Sequence, residues 1–97
     1  MEALLITPEV LAKIEKKHFV ERKEIEQCFL SRDGGLLTDD REQHRTDPPT
    51  QWFLARTNRG RLLKIVFVQN GPTIQLKTAY EPNRTEIDIY RDKASTR

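Results

Sequence analysis

The chain has 97 residues, 36% hydrophobic and 33% charged, a length that fits one domain around one core and leaves no room for a second catalytic domain. This is polar for a globular protein, yet above the range where disorder becomes the default. The formal net charge is only +2, which by itself says little about partners. The opening stretch MEALLITPEV has no basic n-region, and nowhere does a run of about 18 apolar residues occur, so a cytosolic protein without membrane contact is expected.

Ala3 to Ile6 is a short apolar run suited to an edge strand. Thr7-Pro8-Glu9 then gives a helix start, with an N-cap oxygen, proline at the first helical position and an acid in the first turn. Val10, Leu11 and Ile14, continued by His18, share one face of this helix, which is expected to end near His18. Ile25, Cys28 and Phe29 repeat the spacing on a second helix from about Glu21 to Ser31. Asp33-Gly34-Gly35 is expected to end it with left-handed residues. Cys28 is the only cysteine, which excludes an intramolecular disulfide and a cysteine-based zinc site, and its place in the pattern predicts a small buried hydrophobe.

Leu36 to Thr38 reads as a further short strand. The stretch from Asp39 to Thr50, DDREQHRTDPPT, has two prolines and no apolar residue and reads as an exposed loop. Three strands follow, Gln51 to Thr57, Arg61 to Gln69 and Thr73 to Tyr80, joined by Asn58-Arg59-Gly60 and Asn70-Gly71 as hairpin turns. Pro82-Asn83 opens a last helix, where Asn83 and Glu86 resemble a capping box and Ile87 and Tyr90 give a sheet-facing side. The fold class is therefore α+β: a short strand, two helices, an antiparallel meander of three to four strands and a C-terminal helix, in a single domain over 1–97.

From Pro48 through Tyr80 there is no Asp or Glu, yet Arg56, Arg59, Arg61, Lys64 and Lys77 all fall there. Strands carrying cations without matching anions point to an anion-binding face, with RNA as the expected partner. Alternation places Leu63, Ile65 and Phe67 on one face and Leu62, Lys64, Val66 and Val68 on the other. In the next strand Ile74, Leu76, Thr78 and Tyr80 oppose Gln75, Lys77 and Ala79, so that one lysine from each strand is expected to line a common groove. Phe67, in the middle of the central strand, is expected in the core.

In the polar loop, His44 is an imidazole suited to general acid or base work and Arg45 beside it is suited to bidentate phosphate binding. Metal-free phosphodiester cleavage needs a base near the 2′-hydroxyl, an acid near the leaving oxygen and cations around the phosphate, and His44, Arg45, Arg61, Lys64 and Tyr80 are the residue types for those roles. There is no Gly-rich phosphate loop, nucleophile elbow or HExxH motif. With histidines only at 18 and 44, no bound metal or other cofactor is expected.

The segments KKHFVERKEIEQCF and NRGRLLKIVFVQNGPTIQLKTAYEPNRTEIDIY, in the order strand, two helices, meander, helix, resemble the BrnT-like toxins of the RelE superfamily. The resemblance covers most of the chain. It implies a ribonuclease that halts translation, acts on RNA or the ribosome and is silenced by a cognate antitoxin protein. It maps Lys17 and His18 onto the family's K-H pair and Arg59 and Arg61 onto its R-G-R turn. Lys17, His18, Arg56, Arg59 and Lys77 are then RNA-binding candidates. Where the family commonly has Ala-Arg after the last strand, this chain has Ala79-Tyr80-Glu81-Pro82, so a phenol stands where an arginine is expected. That departure keeps open a binding or regulatory domain without catalysis. REQHRTDPPTQWF further resembles short bacterial proteins labelled ADP-ribosyl-(dinitrogen reductase) hydrolase, which adds a hydrolase of ADP-ribose-type substrates as a third and weaker alternative, since that hydrolase is a larger helical enzyme with an acid-rich two-metal site that this chain lacks the residues to build.

Overall fold

The computed structural model describes residues 3–39 and 47–94. Their element order is β1 (Ala3–Leu5), α1 (Pro8–His18), α2 (Arg22–Ser31), β2 (Leu37–Thr38), β3 (Thr50–Arg56), β4 (Leu62–Asn70), β5 (Thr73–Tyr80) and α3 (Arg84–Lys93). The α+β class and the order of elements are those expected from the sequence. The sheet is larger than the meander alone: β1 joins it in parallel beside β5, and five strands run in the order β1-β5-β4-β3-β2.

Local chemistry explains most element ends. Thr7 Oγ1 accepts the Val10 N–H at 3.3 Å at the start of α1, and Lys16, Lys17 and His18 occupy the last turn, where cations suit the helix dipole. At the start of α2 the Glu24 carboxylate turns back to accept the Glu21 N–H at 2.9 Å. Both hairpin turns rest on glycines with positive φ, Gly60 at 83° and Gly71 at 61°. The end of α2 differs from expectation. Arg32 leaves it in extended backbone, and neither Gly34 nor Gly35 is left-handed. Gly34 instead serves close packing, because a Cβ there would lie 2.5 Å from the Tyr90 hydroxyl.

Phe29 of α2 has its ring 5.1 Å from Phe53, whereas Tyr90 of α3 has its ring 5.8 Å from Trp52. Adjacent strand residues point to opposite faces, so the two helices cover opposite sides of the sheet. The main core, on the α1 and α2 side, contains Ile14, Ile25, Cys28, Phe53, Leu63, Ile65, Phe67 and Leu76. Phe67 is 2% exposed, as expected. Cys28 is wholly buried with Sγ facing the Ala55 carbonyl at 3.6 Å, and burial pushes its thiol up to about 12, so it acts as a small hydrophobe.

One register feature overturns an expectation. Val66 pairs with Thr78 but Phe67 pairs with Leu76, which leaves Lys77 unpaired at a β-bulge. The extra residue inverts the alternation within β5. Ile74 and Leu76 point into the core before it and Ala79 after it, while Tyr80 pairs with Lys64. Lys77, exposed and next to core-facing Leu76, thus lies at the bulge on the side of the sheet that carries Lys64, and no longer alternates in step with Ala79.

Candidate functional site

Two linked clusters gather most of the polar residues singled out in the sequence. In the first, α3 lays Glu86 against β4 and β5. Glu86 Oε2 accepts from Lys64 Nζ and from the Tyr80 hydroxyl, each at 2.8 Å, while Oε1 accepts the Asn83 N–H at 3.0 Å. One carboxylate thus completes a helix cap and binds a lysine. The lysine ammonium also lies 4.4 Å from the Trp52 ring centre and 5.6 Å from that of Tyr80. With its side chain only 12% exposed, Lys64 is enclosed.

Electrostatics follow from that enclosure. Burial opposes the charged form of Glu86, but the hydrogen bonds from Lys64, Asn83 and Tyr80, with the lysine charge, prevail and hold its carboxyl below the usual range. Burial and then the hydrogen bond to Glu86 push the Tyr80 phenol upward against the opposing effect of Lys64. Tyr80 is thereby a neutral hydroxyl donor. On its other side the His18 ring lies 5.4 Å away, tilted by 35°. The chain His18–Tyr80–Glu86–Lys64 joins the end of α1 to the start of α3.

In the second cluster Arg61 ties three segments together. Its Nη1 donates to the Phe19 carbonyl at 2.8 Å and to Glu24 at 3.2 Å, its Nη2 to the His18 carbonyl at 3.0 Å, and its Nε to Glu81 at 2.7 Å. The hydrogen bond to Glu81 leads the effects that hold the guanidinium charged, opposed by burial and supported by Glu24. This arginine caps the α1 carbonyls and locks the α1–α2 corner onto the β3–β4 hairpin. Beside it opens a groove of about 570 Å³ lined by Phe19, Lys23, Gln27, Asn58, Arg59 and Arg61, among others.

The expectation of an unmatched cationic sheet is therefore corrected. Acids missing from the strands arrive from the flanking segments: Glu24 and Glu81 for Arg61, Glu86 for Lys64. Arg56 bonds the Gly60 carbonyl of its own hairpin at 2.8 Å. The side chains of Lys17, Arg59 and Lys77 are exposed and make no ion pair with a described residue. His18, Tyr80 and Lys64 are brought together, as are Arg59 and Arg61. His44 and Arg45 lie outside the described residues. The ends of their loop are joined, since the Asp39 N–H donates to the Thr50 carbonyl at 2.8 Å.

Sequence reading missed Glu86 as a partner of Lys64, although its capping position was visible, and missed Trp52, Glu24 and Glu81 altogether. Phe19 carried a signal that went unused: an apolar residue directly after a helix whose apolar face had already ended. Among the described residues no helix is long and apolar enough to cross a membrane. In comparisons with known proteins, no family model and no curated protein matches the chain.

Proposed function

We propose that this chain is a toxin-like ribonuclease of the RelE superfamily kind, cutting RNA without a metal and held in check by an antitoxin protein. The observation that carries the reading is the His18–Tyr80 pair, an imidazole held by ring contact at 5.4 Å at the end of β5, with exposed Lys17 next to it in the chain. His18 takes the role of proton carrier at the 2′-hydroxyl or the leaving oxygen, Tyr80 positions its ring, and Lys17 meets the phosphate. The element order supports the reading, because the BrnT resemblance rests on that order.

The test is induced expression in a bacterium with growth and total RNA followed, paired with cleavage assays on purified protein. Growth arrest and RNA loss are expected, and His18→Ala should lower cleavage about 10²-fold. Unchanged growth and intact RNA at high soluble expression would refute the reading. A second reading, an RNA-binding domain without catalysis, is favoured by the internal pairing of Arg61 and Lys64, which leaves fewer cations to stabilise a phosphorane-like charge. RNA bound but uncut by the wild type would select it.

A further inference from the structure

We infer that Phe19 is a stacking platform for an unpaired base of single-stranded RNA, with Arg59 and Lys23 holding the neighbouring phosphates; this rests on the RNA-directed reading above and names how that site grips its substrate. Phe19 is 78% exposed, the largest exposure among the large hydrophobic side chains of the described residues. It also has φ 55°, ψ 41°, the left-handed conformation that bulky residues avoid at a cost of about 1 to 2 kcal/mol. A helix end of this shape ordinarily carries glycine or asparagine. Here the strain brings no burial: a glycine would close the helix with less strain and leave no apolar ring in water.

The surroundings fix the ring's backbone and supply charge. Arg61 clamps the His18 and Phe19 carbonyls at 3.0 and 2.8 Å, so the platform is anchored from below. The groove at its side carries Lys23, Arg59 and Arg61 against Glu21 and Glu24. Glu24 is engaged with Arg61 at 3.2 Å, and Lys23 holds Glu21 only loosely, at 3.6 Å with both side chains well exposed. Arg59 makes no side-chain hydrogen bond or ion pair with a described residue. An aromatic face beside exposed cations is the arrangement by which single strands are bound without base-pair readout: every base has a π-face, and the cations follow the backbone. The ring also follows His18 directly in the chain, which would set the stacked base next to the proposed proton carrier.

The test uses a single-stranded RNA of about ten nucleotides, 2′-O-methylated so that it cannot be cut and carrying one 2-aminopurine. Binding is read by anisotropy and stacking by quenching of the 2-aminopurine. Wild type should bind and quench. Phe19→Gly should keep or raise the melting temperature, because glycine suits the left-handed position, yet bind about tenfold or more weakly and lose the quench. Phe19→Trp should keep both, and Arg59→Ala should weaken binding while leaving the quench at saturation. If Phe19→Gly binds and quenches like wild type, the platform is refuted while the RNA-directed reading stands. If wild type binds no RNA, both fall. A changed sedimentation coefficient for Phe19→Gly alone, without RNA, would mark Phe19 as a protein contact and overturn the inference.

Discussion

Lys64 shows how a residue's meaning depends on its partner. On a strand free of acids it looked like a phosphate ligand; in the fold it is shared between Glu86 at 2.8 Å and the ring of Trp52 at 4.4 Å. Removing the lysine leaves a carboxylate that is 17% exposed with Tyr80 and Asn83 as its remaining donors. Lys64→Met should therefore destabilise the domain by about 1 to 3 kcal/mol. Adding Glu86→Gln removes the stranded charge and should recover much of the loss, as urea denaturation of the four proteins in the cycle would show. The pH dependence has a defined sign. The Glu86 carboxyl is held below its usual range in the fold, so its contribution is complete above the unfolded value of about 4.3 and is lost as pH falls through the lower folded value. The stability difference between wild type and Glu86→Gln should accordingly narrow below about pH 4. A difference constant down to pH 2 would mean that Glu86 is not held by these donors.

At the scale of elements, the sequence revealed what is set locally and missed what depends on contact. The Thr7 cap, the Asn83 capping box and the Gly60 and Gly71 turns are each specified within a few neighbouring residues, and all were legible. The bulge at Lys77 was not, because nothing in TIQLKTAY marks an extra residue; it is recognised only from the pairing with β4. Gly34 and Gly35 were legible as glycines but misread in purpose. Their place is the dock of α3: the Tyr90 hydroxyl donates to the Gly35 carbonyl at 2.8 Å, and the Gly35 N–H donates to the Ala94 carbonyl at 3.0 Å. Gly34→Ala should thus act through α3, and not through α2, whose end needs no left-handed residue. Its Cβ would stand 2.5 Å from the Tyr90 hydroxyl. Displacing that ring breaks the hydrogen bond to Gly35, so a loss of about 1 kcal/mol is expected. Hydrogen exchange should show it as faster exchange of α3 amides with those of α2 unchanged; faster exchange confined to α2 would restore the helix-stop account.

Across the whole molecule, the candidate site was legible as a set of residue types and illegible as a set of pairs. Arg61 meets Glu24 across 37 positions and Glu81 across 20, and Lys64 meets Glu86 across 22, separations at which composition says nothing about neighbourhood. Cations on strands without acids can be paired by the segments that flank the sheet, as Arg61 and Lys64 are here. The consequence is quantitative for the proposed RNA binding. Single strands release about 0.7 counterion for each phosphate neutralised. Lys17 and Arg59 are exposed and make no ion pair with a described residue, and Lys23 is held by Glu21 only loosely at 3.6 Å, so contacts from these three would give a slope of about −2 in log affinity against log salt. Arg59→Ala should flatten it by about 0.7. The double variant Lys64→Met with Glu86→Gln, which deletes the enclosed pair without stranding a charge, should leave the slope unaltered. Titrations of one uncuttable single-stranded RNA at several salt concentrations decide the matter. A slope near −3 that the double variant flattens to about −2 would place Lys64 on the phosphates, and the ion pair with Glu86 would then have to open when RNA binds.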